Sequence, residues 1–184
     1  HLFPLLGKKV AWCGGVPQPF PLLRAMDISY LFEDVYAATA AARHLEKELQ
    51  EISADKGYLP EVCSYARTTL GCAYFPEEKK SGAHPYYLMP QPDFLLCVDP
   101  GCSMLPWWTD AGRRWFSKPA FIVQCHLVWK REEEEEVVQE VTQQYRELVA
   151  VKRNDSRCFF IAHGKDGKLG IPLLVPEEPQ ITAA

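Results

Sequence analysis

The chain has 184 residues, 47% of them hydrophobic, 12% aromatic and 24% charged, and its 20 basic and 24 acidic side chains leave a net charge of −4. This profile excludes disorder, collagen and coiled coil as the main state, and the lack of a basic excess argues against a nucleic-acid binder. No apolar run approaches the ~20 residues that cross a bilayer, and residues 1–9 are too short and wrongly ordered for a secretory signal.

Lys9-Val10-Ala11-Trp12-Cys13 reads as a short buried strand ended by Gly14-Gly15. Pro17, Pro19 and Pro21 keep the next stretch extended before a short helix at 22–26, and Ile28 to Phe32 reads as a second strand. From Asp34 the period changes: Val35, Ala38, Ala41, Leu45, Leu49 and Ile52 form one apolar stripe, which predicts a single long helix ending at Gly57. A second helix is expected over 63–75, halted by Pro76, and the polar tract 77–82 reads as a loop. Phe94 to Val98 is a buried strand running into the turn Asp99-Pro100-Gly101, with a helix over 103–116 behind it. Ala120 to Val123 is a further strand and 132–151 a last helix, carrying Val137, Val138, Val141, Tyr145, Leu148 and Val149 along one face. Two more short strands are expected at 157–161 and 169–175.

Strands alternating with helices imply an α/β fold: a doubly wound, mostly parallel, Rossmann-like sheet flanked by helices. In such sheets ligands gather beyond the carboxyl ends of the strands, where Cys13, Glu33 and Cys102 fall. The expected organisation is one α/β domain over 1–153 followed by an unmatched tail, 154–184.

Seven cysteines stand at 13, 63, 72, 97, 102, 125 and 158. An odd, scattered set without a secretory signal argues against a disulfide scaffold and places the chain in a reducing cytoplasm. Cys63 opens one helix and Cys102 lies at the turn into another, where the helix dipole and free N–H groups stabilise a thiolate. Those two are the candidate metal ligands, against the plainer alternative of small apolar residues that suits Cys72, Cys97, Cys125 and Cys158. No CxxC or CxxH spacing supports a structural zinc. Trp12-Cys13-Gly14-Gly15 invites comparison with a thiol-dependent redox centre, but Val16 stands where the resolving thiol belongs. Gly14-Gly15 also suits close approach of a ligand's phosphate, without the GxGxxG spacing. Glu33 is either a general base or merely an acidic charge at a helix start beside Asp34. The aromatic group Trp107, Trp108, Trp115 and Phe116 reads as core, and neither His84 nor His126 has a partner at metal-ligand spacing.

Cys63-Ser64-Tyr65-Ala66-Arg67-Thr68-Thr69-Leu70-Gly71, Pro90 to Cys97, Pro100-Gly101-Cys102 and Trp107-Trp108 together resemble the iron–sulfur components of the 2-hydroxyacyl-CoA dehydratase and benzoyl-CoA reductase superfamily. Upstream similarity in Val16-Pro17, Ala25-Met26-Asp27-Ile28 and Phe32-Glu33 extends the resemblance to about residues 9–150, the N-terminal part of such a component. The resemblance implies a [4Fe-4S] cluster with Cys63 and Cys102 as two of three cysteine ligands, Cys97 being the local competitor for the second. It also implies an acyl-CoA substrate, a homologous partner subunit and an ATP-hydrolysing activator that injects an electron for ketyl radical chemistry, with Glu33 on the substrate side. The family's third ligand comes from a following domain, and Gln124-Cys125-His126 stands here where the family has an acidic residue and a proline. A fragment, a short homologue and a subunit completed by another chain all fit that departure. A cluster-free scaffold of the same fold is the rival from another class.

Overall fold

A computed structural model describes residues 7–125, 133–154 and 160–161. The elements in chain order are β1 (Lys9–Gly14), α1 (Phe20–Ala25), β2 (Ile28–Phe32), α2 (Glu33–Ala42), α3 (Glu46–Asp55), α4 (Ser64–Ala73), β3 (Phe94–Asp99), α5 (Met104–Phe116), β4 (Ala120–Gln124), α6 (Glu134–Asn154) and β5 (Phe160–Ile161). The five strands pair in the order β2-β1-β3-β4-β5, every pair parallel. The expected α/β architecture is therefore present, with its sheet wholly parallel among the described strands.

Both faces of the sheet are covered, as parallel pairing through helical crossovers requires. Along β1, Val10 and Trp12 face one core, shared with Tyr36, Leu49, Leu70, Leu95 and Trp108. Ala11 and Cys13 face the other, shared with Leu23 of α1, Leu148 of α6, Leu96 and Phe121. The alternation is the two-residue period of a strand with apolar residues on both sides.

The single helix expected from Asp34 to Gly57 is instead two, α2 and α3, separated at Arg43–Leu45 with His44 at φ 56°. The stripe is also out of phase in its first half. Val35, Ala38 and Ala41 are exposed, and Glu33, Tyr36, Ala37 and Ala40 are buried. Alanine on every side of this helix leaves its phase undetermined by pattern, and the Tyr36 ring, stacked on Tyr86 at 4.9 Å, decides it. α3 then packs on α4 at backbone contact: a Cβ on Gly71 would lie 1.8 Å from the Leu49 carbonyl oxygen. Across the same junction the buried Arg67 donates from Nη2 to the Gln50 carbonyl at 3.1 Å. The expected strand at 169–175, together with His126 and Cys158, lies outside the described residues.

Candidate functional site

In the observed strand order the chain moves to one side of β1 to make β2, then to the other side to make β3. The crevice between the carboxyl ends of β1 and β3 is thus the switch point where doubly wound sheets collect ligands. Two loops line it, Gly14–Gln18 after β1 and Asp99–Ser103 after β3.

The first loop needs its glycines for packing. Gly15 has φ +85°, and a Cβ there would lie 2.0 Å from the Val98 carbonyl oxygen and 3.0 Å from Leu105. Its N–H donates to Asp34 Oδ2 at 2.9 Å, and Gln18 Nε2 donates to the Gly14 and Gly15 carbonyls at 2.6 and 2.9 Å. The Gly15 amide that a ligand's phosphate would need is already occupied, which corrects the phosphate-cradle reading of the pair.

Glu33 follows β2 directly and is only 1% exposed. A Cβ on Gly14 would stand 3.0 Å from Glu33 Oε2, so glycine at that position makes the room the carboxyl occupies. Burial, reinforced by the neighbouring Asp34 charge and opposed by the Trp108 indole, pushes the Glu33 carboxyl up to about 8. The indole nitrogen makes no hydrogen bond of ordinary geometry, so its opposition is weak. Glu33 does stand in the first turn of α2 beside Asp34, but as a buried and largely neutral acid.

The second loop is organised by Asp99. Its Oδ1 accepts from the Gly101 and Cys102 amides, both at 2.8 Å, while its carbonyl accepts from Cys125 N–H at 2.9 Å. This is the local side-chain-to-backbone bonding that makes Asp a turn residue. Cys102 is left exposed, and its carbonyl accepts the Leu105 amide as α5 begins. Because Leu105 also touches the Gly14–Gly15 loop, Glu33 and the Cys102 turn share one crevice.

Cys63 is the exposed N-cap of α4, a helix start with no side-chain cap and no acidic residue in its first turn. Its segment reaches the Cys102 segment through aromatic contact. Tyr58 lies edge-on to Trp107, in the first turn of α5, with centroids 5.4 Å apart. Among the described residues, no group of three or more His, Cys, Asp or Glu side chains is placed to hold a metal ion. The remaining thiols differ in kind. Cys13, Cys97 and Cys72 are buried, and burial pushes each thiol up, Cys72 to about 11. A sealed Cys13 with a raised thiol is a poor exchange nucleophile, which removes the physical basis of the thiol-redox alternative. Trp108 is core as expected, whereas Trp107 and Trp115 stay 39% and 48% exposed.

Sequence reasoning passed over Gly14 and Trp108 as walls of the Glu33 pocket. Asp99 was legible only as a turn residue; its hold on the Cys102 amide needed coordinates.

No family model matches the chain. Against curated proteins it is 29% identical over 164 residues to the (R)-2-hydroxyisocaproyl-CoA dehydratase alpha subunit of Clostridioides difficile, covering 83% of this chain and 37% of that protein. It is 26% identical over 104 residues to the (R)-phenyllactyl-CoA dehydratase alpha subunit of Clostridium sporogenes, covering 56% and 24%. It is 27% identical over 112 residues to lactoyl-CoA dehydratase subunit alpha of Anaerotignum propionicum, covering 56% and 26%. The chain is thus similar in sequence to the alpha subunits of three acyl-CoA dehydratases. It spans well under half the length of each of these relatives. In donor type, two exposed thiols at the helix starts suit part of an iron–sulfur site, and no third ligand stands with them among the described residues.

Proposed function

We propose that this chain forms one wall of a 2-hydroxyacyl-CoA dehydratase site, in which Cys63 and Cys102 would hold two corners of a [4Fe-4S] cluster. Such a cluster, with its remaining ligands from another domain or a homologous subunit and its electron from an ATP-dependent activator, would supply a Lewis-acidic iron and a low-potential electron. The sorting of the thiols carries this reading: the two in exposed helix-start positions are the two the family motif marks, and Cys97, the competitor, is buried in β3.

Glu33 has the protonation state that dehydration requires. Held near 8, it keeps its proton at neutral pH and can give it to the departing 2-hydroxyl group, which leaves as water. The carboxylate so formed takes the proton from the β-carbon, restoring the acid, and the net change is loss of one water from the thioester. The walls made by Gly14, Leu105 and Trp108 keep bulk water from short-circuiting that exchange.

Anaerobic reconstitution with iron and sulfide, together with the partner subunit, tests the ligand assignment. Wild type should acquire the broad visible absorption of a cluster, and Cys63→Ser and Cys102→Ser should each lose it, while Cys97→Ser retains it. Equal iron content in wild type and both helix-start variants overturns the assignment and favours a scaffold.

A further inference from the structure

Two arginines are buried among the described residues, and their surroundings differ. Arg113, 8% exposed, has its counter-charge: Nε donates to Asp110 Oδ1 at 2.8 Å. Arg67, 9% exposed, has none. It forms no ion pair among the described residues, and its Nε has no hydrogen-bond partner. Its remaining side-chain bonds go to uncharged oxygens of one residue, the Gln50 carbonyl at 3.1 Å and Gln50 Oε1 at 3.5 Å. A guanidinium does not lose its proton in a protein, so it cannot escape the cost of burial by becoming neutral. A buried cation without a carboxylate destabilises the fold by itself and calls for a negative partner from elsewhere.

Where that partner belongs follows from the place of Arg67 in α4. Its N–H donates to the Cys63 carbonyl at 3.0 Å, so it lies one turn inside the helix that Cys63 opens. A helical side chain leans back over the turn before its own Cα, which for Arg67 is the turn carrying Cys63. That helix start has no side-chain cap and no acid in its first turn, so the positive end of the helix adds to the guanidinium. Gln50 ties the two together: its Nε2 donates to Thr68 Oγ1 at 3.1 Å, and that hydroxyl donates to the Ser64 carbonyl at 2.8 Å. The cation is thereby fixed relative to the residue beside Cys63.

Resting on the cluster assignment for Cys63, we infer that Arg67 is the counter-charge of the anionic group Cys63 binds, and that it favours the reduced state of that group. Reduction adds one electron, supplied by the activator or by dithionite in the test, and hence one negative charge. A fixed cation one turn away lowers the energy of the more negative state.

The test is an anaerobic redox titration of the full chain, reconstituted with iron, sulfide and the partner subunit. It is followed by electron paramagnetic resonance on the signal that Cys63→Ser abolishes. Arg67→Met should lower the reduced-to-oxidised ratio at a fixed potential about tenfold, a shift of about 59 mV for a one-electron couple, and Arg67→Lys should restore most of it. Gln50→Glu neutralises the same charge without removing it. A carboxylate in place of the amide oxygen beside Nη1 pairs with the guanidinium, so the thermal midpoint should rise while the ratio falls as in Arg67→Met. A purely structural role moves stability alone, and Gln50→Glu decides the matter even where Arg67→Met does not fold. An unchanged ratio in Gln50→Glu or Arg67→Met overturns the inference and leaves the cluster assignment standing. A wild type that takes up no cluster overturns that assignment, and the inference falls with it.

Discussion

Cys63 and Cys102 stand exposed at the starts of α4 and α5, while Cys13 and Cys97, on strands at the middle of the sheet, and Cys72, inside α4, are sealed from water. One side chain thus takes two opposite characters in one small domain. At a helix start the sulfur meets solvent; between sheet and helices it meets apolar packing that penalises charge. The difference teaches that position relative to helix ends, and not cysteine count, decides which sulfurs are available for chemistry.

The largest expected effect follows directly. With a disulfide reagent at neutral pH, Cys63 and Cys102 should be modified about a thousandfold faster than Cys13, Cys72 and Cys97, which react only through opening of the fold. Mass spectrometry of the modified peptides over time reads the ratio, and uniform rates across the five would abolish the contrast.

Glu33 extends the comparison to a buried acid. Its carboxyl lies at about 8 in the folded state against 4.5 ordinarily, so the unfolded chain loses this proton first and folding is penalised as pH rises from 4.5 towards 8. At pH 7 the penalty is ~3 kcal/mol, and Glu33→Gln, similar in shape but without the ionisation, should recover most of it. The gain should vanish near pH 4, and activity of the assembled enzyme should be lost at every pH. Denaturant midpoints at pH 4 and pH 8 check the sign; a variant equally stable to wild type at both would show that the acid is not buried as described.

The smallest effect separates two glycines with similar backbones. Gly15 (φ +85°) has a carbonyl oxygen 2.0 Å from where a Cβ would be, whereas Gly57 (φ +93°) has nothing within 4 Å. Gly15→Ala should cost about 2–3 kcal/mol and Gly57→Ala about 1 kcal/mol, from backbone conformation alone. Equal losses in thermal unfolding would mean that the contact of the first loop with Val98 is not a constraint.

Much of this was legible before any coordinates. The strand at 28–32 and the starts of β3, α5 and β4 fall within a residue of where the pattern puts them, because buried parallel strands are short apolar runs bounded by Gly, Pro and Asp. The two exposed thiols were also legible, since a cysteine at a helix start carries its own local signal. The long helix was not. Ala37, Ala38, Ala40, Ala41 and Ala42 fit any face, and no local signal marks the break at His44, beyond which Leu49 packs on Gly71 of another helix. Burial of Glu33 was equally invisible, for it needs space at Gly14 and a wall at Trp108, contributed by separate elements.

Composition and local pattern by themselves determined an α/β chain, its alternation of elements, and which sulfurs lie at helix starts, because those depend on neighbours a few residues away. Only the tertiary structure decided that a glutamate would be sealed and kept protonated, and that two glycines serve packing and not a phosphate. Those outcomes depend on which distant backbones come within a few ångströms of each other, a property that no window of sequence contains.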